Sequence, residues 1–433
     1  MQLRQPLNLR QPLQMTAHKL RPTLYLPFAG ASSLAISPYT ITYTGSNGTY
    51  FNSSGTLTAA TTNVARLDYD PSTLIARGLL IEEARTNLII RSEEFDSDSW
   101  TKTDTTITAN SIASPDRATT ADLVTEGSAG TASIVQVVTA TANANYATSR
   151  FFKRGNTDWV EMHLADGVST VRQWFNLNTR AIGSNTVSGT GAFVSASVQQ
   201  LPNGWMRATL VGSLGGGTTA ISATTISASA DGATTRVANS TRYEWGAQFE
   251  NNVSFVTSYI PTAAATVTRS ADLASMTGSN FSSWYNQSQG TFVAQYMLGS
   301  TIPSGNFPTV VTAYDGTTGN EIGIYLFNSS GSNRSSFVSK VGGVTQADVG
   351  AASSTFNGTV GVAHKLVGAY QQDNFGASFD GSAVLTDSSG TLPAVDRLGI
   401  GNVIGGQLLN GWIQSIAYYP QRLPNTQLQG LSL

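Results

Sequence analysis

The chain has 433 residues, of which 40% are hydrophobic and 12% charged, with 42 Gly, no Cys and a formal net charge of -2. That length and apolar content can fill several cores, whereas the absence of cysteine excludes a disulfide framework, thiol catalysis and cysteine-ligated zinc. The net charge supplies no field for a nucleic-acid backbone, and no apolar run approaches the ~20 residues that span a bilayer, so neither nucleic acid nor membrane insertion is expected.

Abundant Gly, Ser and Thr with few charges favour short strands joined by turns over amphipathic helices, which gives an all-β expectation. His18, His163 and His364 lie far apart without the HExxH-type spacing of a zinc site.

Residues 1–31 are predicted to be an extended basic arm. They hold a doubled LRQPL, prolines at 6, 12, 22 and 27 that forbid a continuous helix, and Arg4, Arg10, Lys19 and Arg21 with no acid. Such an arm is a candidate anchor on another protein, or a frayed tail. Met1 to Arg21 lacks the apolar core of a secretory signal.

Residues 32–87 are predicted to form a β-hairpin module, with the alternating runs Tyr39–Tyr43 and Thr49–Phe51 set off by Ser46-Asn47-Gly48 and Ser53-Ser54-Gly55. The module closes on the charged stretch Gly78 to Phe95. There the apolar runs Leu79–Ile81 and Leu88–Ile90 read as buried strands, and Glu82 to Asn87 as the connection between them, with Arg85 close enough to pair with a glutamate. Adjacent residues of an extended segment face opposite ways, so Glu82 and Glu83 would not share a substrate. The stretch therefore reads as a rigid joint.

Residues 88–268 carry strand-length segments with turn signals every ten or so residues, the rhythm of a sandwich or jelly roll. Alternation in Trp159–Leu164 puts Val160, Met162 and Leu164 in the core and Trp159, Glu161 and His163 outside. In Tyr243–Phe249 it puts Tyr243, Trp245, Ala247 and Phe249 on the core face, opposite Glu244 and Gln248. Arg172, Trp174 and Asn176 take the outer face of another strand. If the two outer triplets are neighbours, Trp159, Glu161, His163, Arg172, Trp174 and Asn176 make a candidate glycan patch, since aromatic faces stack on sugars while amides and carboxylates fix hydroxyls. The competing expectation packs both tryptophans under a loop or against a second subunit. Trp205 and Trp245 read as core. Asp96, Asp98 and Asp104 are near enough in sequence to offer a weak structural-calcium site, or else are solvated loop acids; no other cofactor is expected.

Residues 269–433 form a second strand series, from Gly290–Tyr296 to Gly411–Tyr419, ending in one short helix that Asn425 or Thr426 could cap. Trp412 reads as packing. The acids of this half are scattered, with no strand carrying the alternating carboxylates of a sandwich glycosidase, and the chain has no GxSxG or Walker loop. No enzymatic activity is expected, although acids brought together by the fold remain an alternative.

Three groups of segments carry a family resemblance. Ala76–Leu88 (ARGLLIEEARTNL) resembles a signature of tailed-bacteriophage virion proteins. Ser92–Lys102, Trp174–Leu177 and Asn203–Arg207 look like strands of the carbohydrate-binding-module-like jelly roll that follows that signature. His364–Tyr370, Asp380-Gly381, Leu398–Gly401 and Leu409–Tyr419 are similar to concanavalin A-like lectin (laminin G-like) domains. The resemblance implies a head or tail fibre or spike, a structural virion protein attached to other virion proteins by its N-terminal arm and commonly a homotrimer. It would be assembled in the bacterial host cytoplasm, would act outside it, and would adhere to host-surface polysaccharide. The alternatives are a capsid decoration protein without sugar binding and a glycan-degrading tailspike.

Overall fold

The computed structural model describes residues 21–128, 130–329, 331–350, 358–404 and 406–433. The expected anchors Arg4, Arg10 and Lys19 lie outside these residues, and Arg21 is exposed at their start. The all-β expectation holds: strands from both halves stack into two sandwiches, and among the described residues helix is confined to Ser279–Ser282, Asn425–Leu431 and one 3-10 turn. No helix among the described residues is long and apolar enough to cross a membrane.

The jelly roll is built from two six-stranded antiparallel sheets. One runs Ala192–Gln200, Trp205–Ser213, Asn145–Arg154, Thr241–Asn251, Ala121–Glu126 and Thr105–Ile112. The other runs Ala181–Ser188, Thr170–Asn176, Trp159–Ala165, Ala220–Ala228, Ser133–Thr139 and Thr101–Thr103. Between them lie Val160, Met162, Leu164, Phe152, Val171, Phe175, Leu210 and Phe249, as alternation predicts for the Trp159 strand.

The Tyr243–Phe249 strand departs from simple alternation. Its register against Asn145–Arg154 shifts between Ser149 and Phe151, and Gly246 takes φ +60. The extra residue of this β-bulge flips the strand. Ala247 and Phe249 face the inter-sheet core, whereas Trp245 packs outside with Phe51, Phe151, Leu201, Trp205 and Tyr259. Glu244, expected opposite the core, turns into it, where it accepts from Arg150 and Arg242 at 2.6 Å each; Arg242 also pairs with Glu126. This internal chain of charges survives because each buried ion has a hydrogen-bonded counter-ion.

The second sandwich stacks a sheet of Leu385–Asp387, Phe375–Phe379, Ala363–Gln371, Gln289–Leu298, Gly411–Tyr419, Ala76–Ile81 and Leu67–Tyr69 on one of Thr42–Thr44, Leu273–Thr277, Arg397–Ile400, Thr309–Tyr314, Glu321–Ser329, Ser332–Val341 and Val344–Val349. Four of its strands come from the N-terminal part of the chain. Leu24–Pro27, inside the expected arm, pairs with Gly411–Tyr419, and residues 32–87, expected as a separate module, instead lend Thr42–Thr44, Leu67–Tyr69 and Ala76–Ile81 to the two sheets. Only Thr49–Phe51 with Leu57–Ala59 forms a hairpin of its own. The apolar Leu24, Leu26, Leu79 and Ile81 explain this: all are fully buried in the second core. The jelly roll is thus an insertion, leaving and re-entering through the paired strands Arg85–Asn87 and Val267–Arg269. The terminal helix exists and buries Leu428 against Val367, Ala369 and Leu423, but its cap position is Pro424 and neither Asn425 nor Thr426 caps it by a side chain.

Candidate functional site: an outer face, a joint and a cleft

The two outer triplets of the jelly roll do meet. Trp159, Glu161 and His163 stand opposite Asn176, Trp174 and Arg172 in register. The chemistry there is turned inward. Glu161 is fully buried; its Oε1 takes His163 Nδ1 at 2.7 Å and an Arg172 guanidinium N–H, and Arg236 lies 3.7 Å from Oε2. Burial would raise the Glu161 carboxyl, but His163, Arg172 and Arg236 outweigh it and hold it below its ordinary value. Trp174 is 1% exposed and donates its indole N–H to Ala233 O, while Asp231 of the same loop accepts from Ser184 N–H and Oγ–H. Asn176 Oδ1 accepts from Asn178 and Thr179 N–H and so closes a turn.

The stacking platform expected from Trp174 is therefore corrected. The loop after Ala228 lies over that ring, because a large apolar ring gains more by burial than by waiting for a sugar. Of the six residues Trp159, His163, Arg172 and Asn176 keep partial exposure. Among the described residues no group of three or more acidic or histidine side chains is placed to hold a metal, so Asp96, Asp98 and Asp104 do not converge.

The charged connection is a joint. Glu82 Oε2 accepts from Arg66 at 2.7 Å and from Arg269 and Ser258 Oγ at 2.6 Å, and Oε1 accepts Ser258 N–H at 2.8 Å. Arg66 also pairs with Asp272, whose other oxygen accepts Tyr43 O–H. Burial alone would raise the Glu82 carboxyl, yet Arg269 and Arg66 bring it down to about 2. Arg85 pairs with Glu83. Fully buried Asn87 donates to Ala247 O and Ile260 O and accepts from Ile89 and Phe249 N–H, fixing the jelly roll to the chain that enters it. The run Leu79–Ile81 is a buried strand, but Leu88–Ile90 is not: after Asn87 the chain bends, and only Ile89 is buried.

Beside the joint opens a cleft of about 580 Å³. Its floor is the outer face of the strands Ala192–Gln200 and Trp205–Ser213, where Ser197 stands opposite Thr209 and Gln199 opposite Arg207. The walls are residues 254–259, the hairpin residues Tyr50 and Phe51, and, from the second sandwich, residues 299–303 and Trp412. Trp412 donates its indole N–H to Asp68 Oδ2 at 2.9 Å, and the Arg77 guanidinium lies over its ring at 5.0 Å. Asp68 also accepts Phe51 N–H at 2.7 Å, and burial pushes its carboxyl up to about 6.

The sequence did not single out this cleft. Arg207 and Tyr50 appear there only as strand residues, and the opposition of Arg207 to Gln199 depends on a register that no local pattern reveals.

No family model matches the chain, and no curated protein matches it. Among solved structures it is similar to the CBM40 of the Ruminococcus gnavus IT-sialidase bound to α2,3-sialyllactose (15% identity, TM-score 0.30, covering 37% of this chain and 93% of that one). It is also similar to a heptameric SAP-like pentraxin from Limulus polyphemus (13% identity, TM-score 0.26, 34% of this chain and 70% of that one). A third is the NanB sialidase of Streptococcus pneumoniae (15% identity, TM-score 0.29, 36% of this chain and 26% of that one).

Proposed function

We propose that the protein is a non-enzymatic structural and adhesion protein of a tailed-bacteriophage virion, a fibre or spike that meets host-surface glycans through the cleft. The observation that carries adhesion is the lining of the cleft: hydroxyl and amide side chains of Ser195, Ser197, Thr209 and Gln199 share a volume of about 580 Å³ with the rings of Tyr50 and Trp412. Hydroxyls and amides match sugar hydroxyls, and aromatic rings match their C–H faces.

Two carboxylates line the cleft, and both are committed. Asp68 accepts from Phe51 and Trp412, and Glu82 from Arg66, Arg269 and Ser258. Binding is favoured over hydrolysis on that ground, because a glycosidase needs an acid and a second carboxylate free to reach the substrate. The virion assignment rests on the resemblance of Ala76–Leu88 to the phage signature. Attachment through Arg4, Arg10, Lys19 and Arg21, and assembly as a homotrimer, belong to the same proposal.

The test is a glycan array read with the full-length protein and with Ser195→Trp, which fills the cleft from an exposed floor position. Saturable binding lost in the variant supports adhesion at the cleft. Silence of the wild-type protein replaces it with a decoration role, and release of shortened products from a bound glycan replaces it with a tailspike enzyme.

A further inference from the structure

Arg207 is out of balance with its surroundings. It is 8% exposed, and its Nε and Nη2 both donate to one neutral acceptor, Ser149 Oγ, at 3.2 and 2.9 Å. Its guanidinium lies 5.5 Å from the Phe151 ring centroid. Among the described residues no carboxylate comes within the 4.0 Å of an ion pair, although the other deeply buried arginines, Arg66, Arg150, Arg242 and Arg269, each hold one. Burial pushes its guanidinium down to about 10, so it is still a cation at neutral pH.

The Glu250 and Glu82 carboxylates favour the charged guanidinium only from beyond ion-pair distance, and a buried charge without a hydrogen-bonded counter-ion is costly. The remaining donor also points to a use. Nη1 donates to no acceptor among the described residues, and Arg207 lines the cleft.

We propose that Arg207 is the anion-reading group of this cleft and that the glycan it takes is acidic, with a sugar carboxylate seated on the guanidinium. The inference rests on the glycan reading above and narrows it. A guanidinium offers a planar fork that matches a carboxylate, and one cation matches one negative charge. Arg77, the other arginine in the lining, is already held by Asp70 at 2.7 Å with Asp68 at 3.7 Å, so a phosphate dianion would find no second free cation there. Around Arg207 the neighbours Gln199, Ser197 and Thr209 suit the hydroxyls of the same sugar ring.

The experiment uses an array of acidic and neutral glycans at pH 7, with inorganic phosphate as competitor, and the full-length wild type beside Arg207→Gln and Arg207→Lys. The expected result is that the hits carry carboxylates and that carboxyl reduction of those same glycans abolishes binding to the wild type. Arg207→Gln should lose 10-fold or more in affinity with its melting curve intact, and Arg207→Lys should recover part of the loss. The reduced glycans keep the test decisive on wild-type protein if Arg207→Gln fails to fold. Hits that are neutral sugars, or acidic hits indifferent to carboxyl reduction, overturn the Arg207 assignment and leave glycan adhesion standing. Binding displaced by millimolar phosphate and insensitive to the sugar overturns the saccharide in favour of a phosphate ligand. No hits from the wild type overturn both.

Discussion

Trp412 and Asp68 are joined by a 2.9 Å hydrogen bond across 344 residues of chain. The bond fastens a strand from the N-terminal region to the last long strand of the second sandwich, at the rim of the cleft. Asp68 is 4% exposed, so taking away its indole donor leaves a buried carboxyl short of a partner. Trp412→Phe keeps the ring and removes the N–H; a loss of about 1–3 kcal/mol in urea unfolding is expected. An unchanged midpoint and slope would mean that water replaces the indole.

The Glu82 carboxylate answers two buried arginines at once. Glu82→Ala strands Arg269 and leaves Arg66 to Asp272 alone, and a loss of about 3–5 kcal/mol is expected from breaking a buried ion pair. Glu82→Gln keeps some hydrogen bonds and should lose less. Differential scanning calorimetry is the measurement. Because the joint lies where the jelly roll leaves the second sandwich, Glu82→Ala should also split one transition into two, and a single transition of unchanged temperature would refute the joint.

Stability should decline between about pH 4.5 and about pH 7. Burial raises the Glu93 carboxyl to about 7, although the Tyr259 O–H bond opposes the shift. Over that window the folded state holds a proton that the unfolded chain has released, so unfolding gains as pH rises, at up to about 1.4 kcal/mol per pH unit. Glu82 acts in the opposite direction: held at about 2, it contributes stability above about pH 4.5 that disappears as pH falls toward 2. Urea midpoints measured from pH 4 to 8 should therefore fall in the wild type and fall less in Glu93→Gln; parallel curves would exclude Glu93 as the source.

Gly246→Ala tests the bulge. At φ +60 a Cβ would also sit 2.7 Å from the Phe151 ring. Backbone strain of about 1 kcal/mol and the clash should together cost about 2–4 kcal/mol. Thermal unfolding reads it, and an alanine variant as stable as the wild type would show that the strand can be flat there.

What the sequence disclosed was what local periodicity encodes. Alternation placed Val160, Met162 and Leu164 inward and Glu161 outward correctly, and the crowd of charges around Glu82 marked the joint. Two kinds of information were missing. A single left-handed glycine breaks the alternation of the Thr241–Asn251 strand, so Ala247 and Phe249 after it face the inter-sheet core while Trp245 before it is buried on the other side of its sheet. Pairings such as Leu24 with Tyr418, or Trp412 with Leu80, join segments hundreds of residues apart and leave no trace in either segment alone. The covering of Trp174 was missed for a related reason: alternation shows that the ring points outward, but whether a loop then covers it is decided some 60 residues later, at Ala233.

The chain departs for the jelly roll at Asn87 and comes back at Val267, and these two residues are direct partners in a two-stranded ladder. Their backbones are neighbours whatever is threaded between them. To the second sandwich, the intervening residues amount to an oversized loop with a closed base, and closing a loop costs only slowly more as it lengthens. A different sandwich, or a plain short turn, could occupy that place while the host kept every strand. The jelly roll and the cleft floor it carries would then be an exchangeable part of the molecule, on a scaffold that need not change.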